Sequence, residues 1–415
     1  MQIEPLNFLT TWKKSKNLFP QKMSPMKNSY KLCISIMQIL FSLLIVTSNC
    51  KGQEANWIYK NVPKDEIKES NALLPYRKKA DFLSSRAYDL TSSLPPNYVK
   101  DGSVDYTEQL QKGINANSIV MFPNFPVLVN HLGLSLISNS TVIFRKYSKL
   151  VLQANGLPAY QILRIYNATN VNLYFPVVQG DRDLHSGNGQ WGMGISISGS
   201  TKILVVNPKV SKCWGDGIYL GRQNNAVDRN ITIFYAELDN NRRNGLSITC
   251  ADGVHLIRPI ISNTAGQMPM SGIDIEPNTN ADVIKNIRID NAFTFNSAMH
   301  GIVVSLHGLR GDAPQQVSIS INNHLDEGSA IGFGLAINLA DKNTGPPITG
   351  QINVLNPIWK NSKKKGFQVY KVPNNVSMID VKFKNTSIFK NNNIDNDGIS
   401  DMKTQLNYDR RIFVE

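Results

Sequence analysis

The chain has 415 residues, 41% hydrophobic and 18% charged, with 28 glycines and 20 prolines. This composition excludes disordered, collagen-like and disulfide-scaffold classes and leaves enough apolar material for a core. The net charge of +13 would argue for nucleic acid only if it were spread along the chain, but residues 1–52 hold seven lysines against one acid, and the remainder carries only +7.

That basic leader is the first element in chain order. Lys27 and Lys31 precede a mostly apolar run at 32–46, shorter than the roughly 20 residues that a bilayer span needs. Residues 1–52 therefore read as an export signal region with Met26 as the true start. They predict an exported protein: periplasmic, extracellular or an outer-membrane lipoprotein. Cleavage near Gly52 and lipidation of Cys50 both remain open, the latter being the one membrane contact expected. Residues 53–100, rich in Lys, Asp, Ser and Pro, read as a linker or outer wrap. Beyond the leader only Cys213 and Cys250 remain, and buried unpaired thiols are the commoner reading over a disulfide.

Residues 101–415 read as one domain with an N-terminal cap. Tyr106, Leu110 and Ile114 fall on one helical stripe, and Asp105 with Glu108 has the form of an N-cap and its capping-box partner. A short amphipathic helix there would cover the open strand edges at the start of the domain.

The body of the domain is a repeat. A Gly-φ-x-φ unit, φ being apolar, begins at Gly194, Gly217, Gly245, Gly272, Gly301, Gly334 and Gly366, with spacings of 23, 28, 27, 29, 33 and 32. Each unit is succeeded by a second alternating run, such as Ile231-Thr-Ile, and often by a third opened by proline or alanine, such as Pro259-Ile-Ile. Period-2 Ile and Val mean half-buried strands, and the intervening Asn, Asp, Ser and Gly supply turns. A unit of about 28 residues cannot bury its apolar side alone, so copies must stack, strand on equivalent strand. The predicted fold is all-β, a right-handed parallel β-helix with three strands per coil. Gly398, 32 residues after Gly366, reads as the start of a last degenerate coil, although Asp395-Asn-Asp-Gly398 has the look of a calcium loop. Lys363-Lys-Lys365 reads as a solvated turn.

The run Lys100-Asp-Gly-Ser-Val-Asp-Tyr-Thr-Glu-Gln-Leu-Gln, with Val120-Met-Phe-Pro and the Gly-Ile-x-Ile coils, resembles the pectate-lyase-like superfamily of right-handed parallel β-helices over residues 95–402. The resemblance implies polysaccharide lyases, glycoside hydrolases, uronate epimerases or glycan-binding tailspikes. Polygalacturonase-type hydrolases resemble this chain at Asp216-Gly217, but Arg243-Asn244 stands where they carry an Asp-Asp pair.

The candidate chemistry lies on the Gly-φ-x-φ strands. In Gly272-Ile-Asp-Ile-Glu the isoleucines face the core, so Asp274 and Glu276 share the outer face about 7 Å apart along the strand. They suit an acid/base pair or half of a Ca²⁺ site. Asp216, two coils away and about 10 Å distant, joins them only if a turn reorients it. His300 is a candidate base. Arg182, Arg222 and Arg243 are candidate clamps for a substrate carboxylate, with Tyr219 and Trp214 as sugar contacts. Trp214 with Trp191 forms either a stacking platform or corner packing. The reading is therefore a monomeric, exported lyase or hydrolase acting on an acidic glycan, with Ca²⁺ as the one cofactor entertained and no nucleic acid partner. The alternative is a non-catalytic glycan-binding or structural solenoid.

Overall fold

The computed structural model describes residues 57–67, 70–337, 346, 348–370, 378–407 and 412–414. The export signal region, Met26 and Cys50 lie outside the described residues. No helix among the described residues is long and apolar enough to cross a membrane.

The chain winds as a β-solenoid. Three kinds of strand recur in order, and each pairs in parallel with its equivalent one coil on. The first ladder runs through Trp191–Ser198, Ile218–Gln223, Asn244–Ile248, Ser271–Ile275 and His300–Ser305. The second includes Thr201–Val206, Ala251–Ile257 and Ile284–Asp290. The third includes the short strands Lys209–Ser211, Ile260–Ser262 and Phe293–Phe295. An antiparallel contact between Arg222 and Val227 joins the first ladder to the second.

Register comes from the alternation. Ile218, Leu246, Ile273 and Ile302 stack on one another in the core, while Tyr219, Ser247, Asp274 and Val303 stack between them on the outer face. Burying these apolar columns supplies the main stabilisation. Corners are turned by residues with positive φ, mostly asparagine, whose short amide tolerates that region. Asn323, Asn356 and Asn385 each donate to the asparagine one coil earlier, at 2.9–3.0 Å.

The repeated glycines have a steric cause. A Cβ on Gly217, Gly245 or Gly272 would lie 2.6–2.7 Å from the carbonyl oxygen of the next glycine in the column. After Gly301 that column continues through Gly332 and Gly366, with Ile302 paired to Phe333. The expected start at Gly334 is thus corrected by two residues, because Phe333 takes the core position.

The ends are helical. Tyr106, Leu110 and Ile114 are buried as expected on helix Thr107–Ala116. Asp105 accepts from the Thr107 amide rather than capping the third turn position. At the other end, Asn396–Leu406 is a helix whose N-cap Asp395 accepts from Gly398 N. That corrects the expected last coil: Met402 and Leu406, four apart, bury one helical face. Lys363 is hydrogen-bonded to Asn296 and Lys365 is ion-paired to Asp401, so the basic run is partly engaged.

Residues 57–67 lie against the corner after the third ladder. Asn263 exchanges hydrogen bonds with the backbone of Lys60, Asn296 donates to Ile58 O, and the Trp57 indole donates to Asn296 O. Helix Leu74–Ser84 sits with Tyr76 tilted against Phe234.

Candidate functional site

The outer face of the first ladder gathers three carboxyl groups, Asp216 from one coil and Asp274 with Glu276 from a coil two further on. Bends at Trp214, Gly215 and Gly217 break the alternation around Asp216 and bring its carboxylate outward, which meets the requirement for a turn. There Asp216 accepts from Arg243 Nη1 at 2.9 Å, Ser247 Oγ at 2.8 Å and the Asn244 amide at 3.1 Å. Burial pushes its pKa up, while Arg243, Ser247 and Asn244 pull it back.

Asn244 is the hub between coils. Its Nδ2 donates to Ser247 Oγ and to Asp274 Oδ2, each at 3.0 Å, and its Oδ1 accepts from the Ser271 amide. The chain of contacts therefore runs from Asp274 through Asn244 and Ser247 to Asp216. Neither Ser247 nor Asn244 stands out as a site residue in the sequence; the signal for Asn244 is that it occupies the Asp216 position one coil on.

Asp274 is 1% exposed, and its Oδ1 has no hydrogen-bond donor among the described residues. Desolvation first, and the neighbouring charge of Glu276 second, hold its pKa well above the usual carboxylate range, and Glu276 is within hydrogen-bond reach. Glu276 is only half-buried, so solvent reaches the pair from its side.

The donor set does not suit Ca²⁺, which takes six to eight oxygens. One Asp274 oxygen already accepts from Asn244 and the other faces Glu276. No group of three or more His, Cys, Asp or Glu among the described residues is arranged to hold a metal ion.

The remaining candidates are mostly engaged elsewhere. Arg243 is ion-paired with Asp216, and Arg222 with the buried Asp282 at 3.2 Å. Arg182 donates to both the carbonyl and the side chain of Asn240. Each of these three guanidiniums thus has an acceptor in another turn of the solenoid. Trp214 is packed between the His185 ring, 4.0 Å away, and the Arg242 guanidinium at 3.6 Å. Corner packing, not an open platform, is thus its role, whereas Trp191 is 53% exposed. Tyr219 stays half-buried, with its hydroxyl accepting from Thr249 at 2.9 Å. His300 is hydrogen-bonded to Ser271 and to Tyr370 at 2.7 Å, and burial pushes its pKa down to about 4. It lies outside the carboxyl cluster. Cys213 and Cys250 are free and buried.

Comparison with known proteins agrees with this architecture. The family model described as right handed beta helix region matches residues 193–383. An uncharacterized protein of Bacillus subtilis, YclG, is 23% identical over 269 residues, covering 57% of this chain and 45% of its own. The chain spans under half the length of the curated relatives it matches. A tailspike protein mutant of E. coli bacteriophage HK620, in complex with pentasaccharide, superposes with a TM-score of 0.53 at 14% identity, over 75% of this chain and 58% of that one. The endo-xylogalacturonan hydrolase of Aspergillus tubingensis does so with a TM-score of 0.50 at 14% identity, over 71% and 84%. At these identities the likeness is one of fold.

Proposed function

The chain is a right-handed parallel β-helix, the fold of the pectate-lyase-like superfamily, and on that premise we propose that it binds a polysaccharide along the outer face of the first ladder and hydrolyses a glycosidic bond there. The observation that carries the reading is the buried Asp274 carboxyl, tied to Asn244, beside the half-buried Glu276 on the same outer face. Glu276, the member that solvent reaches, passes a proton to the glycosidic oxygen as the bond to the anomeric carbon breaks. Water adds to that carbon, and its proton returns to the carboxyl pair. Asp274 is a positioning residue beside Glu276, and Asn244 orients it.

Hydrolysis is favoured over β-elimination, which needs a cation at the substrate carboxylate and a base beside it. Near the pair, Arg243 is committed to Asp216 and both His300 nitrogens are engaged. Non-catalytic glycan binding is the second reading, favoured by the near-complete burial of Asp216 and Asp274. Export belongs to the proposal, resting on the apolar run at 32–46.

The test is incubation with a panel of uronic-acid and neutral glycans. New reducing ends without the absorbance of an unsaturated uronate support hydrolysis. Unsaturated product overturns it in favour of elimination, and retention without cleavage leaves binding alone. Glu276→Gln should lower the rate by about a hundredfold or more, the usual scale for a general acid.

A further inference from the structure

Helix Leu74–Ser84 is apolar on two sides. Its inner side packs on the solenoid: Leu73, just ahead of it, and Ala80 are buried, and Tyr76 and Leu83 are half-buried, against Ile143 and Val206. That contact is enough to dock the helix. The outer side has no such task, yet Leu74 is 50% and Phe82 60% exposed. Eight residues apart, the two fall on one face, about 12 Å from each other along the axis, with Lys78 between them.

Single exposed apolar side chains are ordinary; the setting of these two is not. Lys78, Lys79 and Arg86 surround them, and Lys146 lines a cleft of about 460 Å³ that the helix forms with the corner at 143–146. No acid among the described residues is ion-paired with any of these four cations, whereas Arg145 and Lys209, which also line the cleft, are paired with Asp89 and Glu237. Two of the four lie on aromatic rings. The Arg86 guanidinium is 4.4 Å over the Phe82 ring, and Lys146 Nζ is 5.1 Å over the exposed ring of Tyr147. A ring beneath a cation offers apolar carbon and positive charge at one place, which suits the boundary between acyl chains and anionic headgroups. A soluble polyanion would engage the cations and leave Leu74 and Phe82 in water. A lipid surface engages both. In sequence, Leu74 comes 28 residues after Val46, the end of the apolar run read as membrane-directed.

We propose that the outer side of helix Leu74–Ser84, with the corner beside it, is a peripheral contact for an anionic lipid surface. Leu74 and Phe82 enter the headgroup boundary, and Lys78, Lys79, Arg86 and Lys146 face the lipid phosphates. The helix, 11 residues long, lies on the bilayer and does not span it. This contact goes beyond the glycan chemistry and does not depend on it.

The experiment reads the contact locally, because the apolar run at 32–46 can enter vesicles by itself. In the full chain, Phe82→Trp adds fluorescence to that of the parent's five tryptophans. Vesicles of phosphatidylcholine mixed with phosphatidylglycerol, both brominated on the acyl chain near the headgroup, should quench the added fluorescence at low salt. Vesicles of brominated phosphatidylcholine alone should quench it far less. In the same background, Lys78→Gln with Lys79→Gln should raise the lipid concentration needed by about tenfold or more, and Leu74→Ser by about fivefold or more. Both changes are at exposed side chains, and melting temperatures equal to the parent's certify the fold. The proposal is overturned if the mixed vesicles leave the added fluorescence unquenched, if phosphatidylcholine alone quenches it as well, or if either variant matches its background. Binding of dextran sulfate that depends on Lys78 and Lys79, without quenching by vesicles, would assign the cations to a soluble polyanion and also overturn it.

Discussion

The carboxylate of Asp216 meets the guanidinium of Arg243, one coil further on, at 2.9 Å, with the aspartate wholly buried and the arginine side chain 14% exposed. A candidate catalytic carboxylate and a candidate substrate clamp are thereby committed to each other. The Arg243 Nε is buried without a partner, so the pair has little reserve if one member is lost. Asp216→Asn should destabilise the fold by about 3–5 kcal/mol, because a buried cation is left uncompensated. Adding Arg243→Gln should restore much of that loss. Urea unfolding of the single and double variants measures the coupling, and a double variant no more stable than Asp216→Asn would contradict it.

A second buried carboxyl gives a pH signature. Asp326 accepts from Thr294 and Ser329, its Oδ2 has no donor, and burial pushes its pKa up to about 7. The folded state therefore holds this proton more tightly than the unfolded chain. Stability is fully present below the ordinary carboxylate pKa and falls as pH rises toward about 7, by up to about 4 kcal/mol for this group. Unfolding at about pH 5 and about pH 8 should show a smaller difference for Asp326→Asn than for the parent. Asp228, likewise pushed up to about 7 by burial, keeps part of the slope in the variant. An unchanged slope would count against the assignment.

Glycine in the repeat makes a steric prediction. A Cβ on Gly245 would lie 2.1 Å from Ile261 Cγ2 and 2.7 Å from the Gly272 carbonyl oxygen. Since Gly272 O belongs to the next coil's backbone, relief requires the coils to separate. Gly245→Ala should cost about 1–3 kcal/mol or more, read from the midpoint of thermal unfolding. Gly328, whose Cβ would meet nothing within 4 Å, is spared that clash, although its φ of +71° still disfavours a side chain.

The segment at 57–67 depends on two asparagine side chains. Asn263 has a φ of +57°, so Asn263→Gly keeps the corner while removing both bonds to the Lys60 backbone. Trypsin cleavage after Lys60 or Lys64 should accelerate several-fold, since local opening controls access. Cleavage at the parent's rate would mean that other contacts hold the segment.

The sequence by itself determined the winding. Glycine spacing, period-2 alternation and the Tyr106, Leu110, Ile114 stripe are local patterns, and the solenoid copies local pattern into three dimensions. It also put Asp274 and Glu276 on one outer face, because alternation within a five-residue strand decides that. Tertiary structure alone decided which charges are free. Arg243 and Arg222 looked like clamps in a linear reading, yet their partners lie 27 and 60 residues away, where coil length and corner geometry set who meets whom. Gly334 and Gly398 misled for a related reason: a repeat with insertions of variable length carries no fixed register, and only core packing at Phe333 and Met402 chooses one.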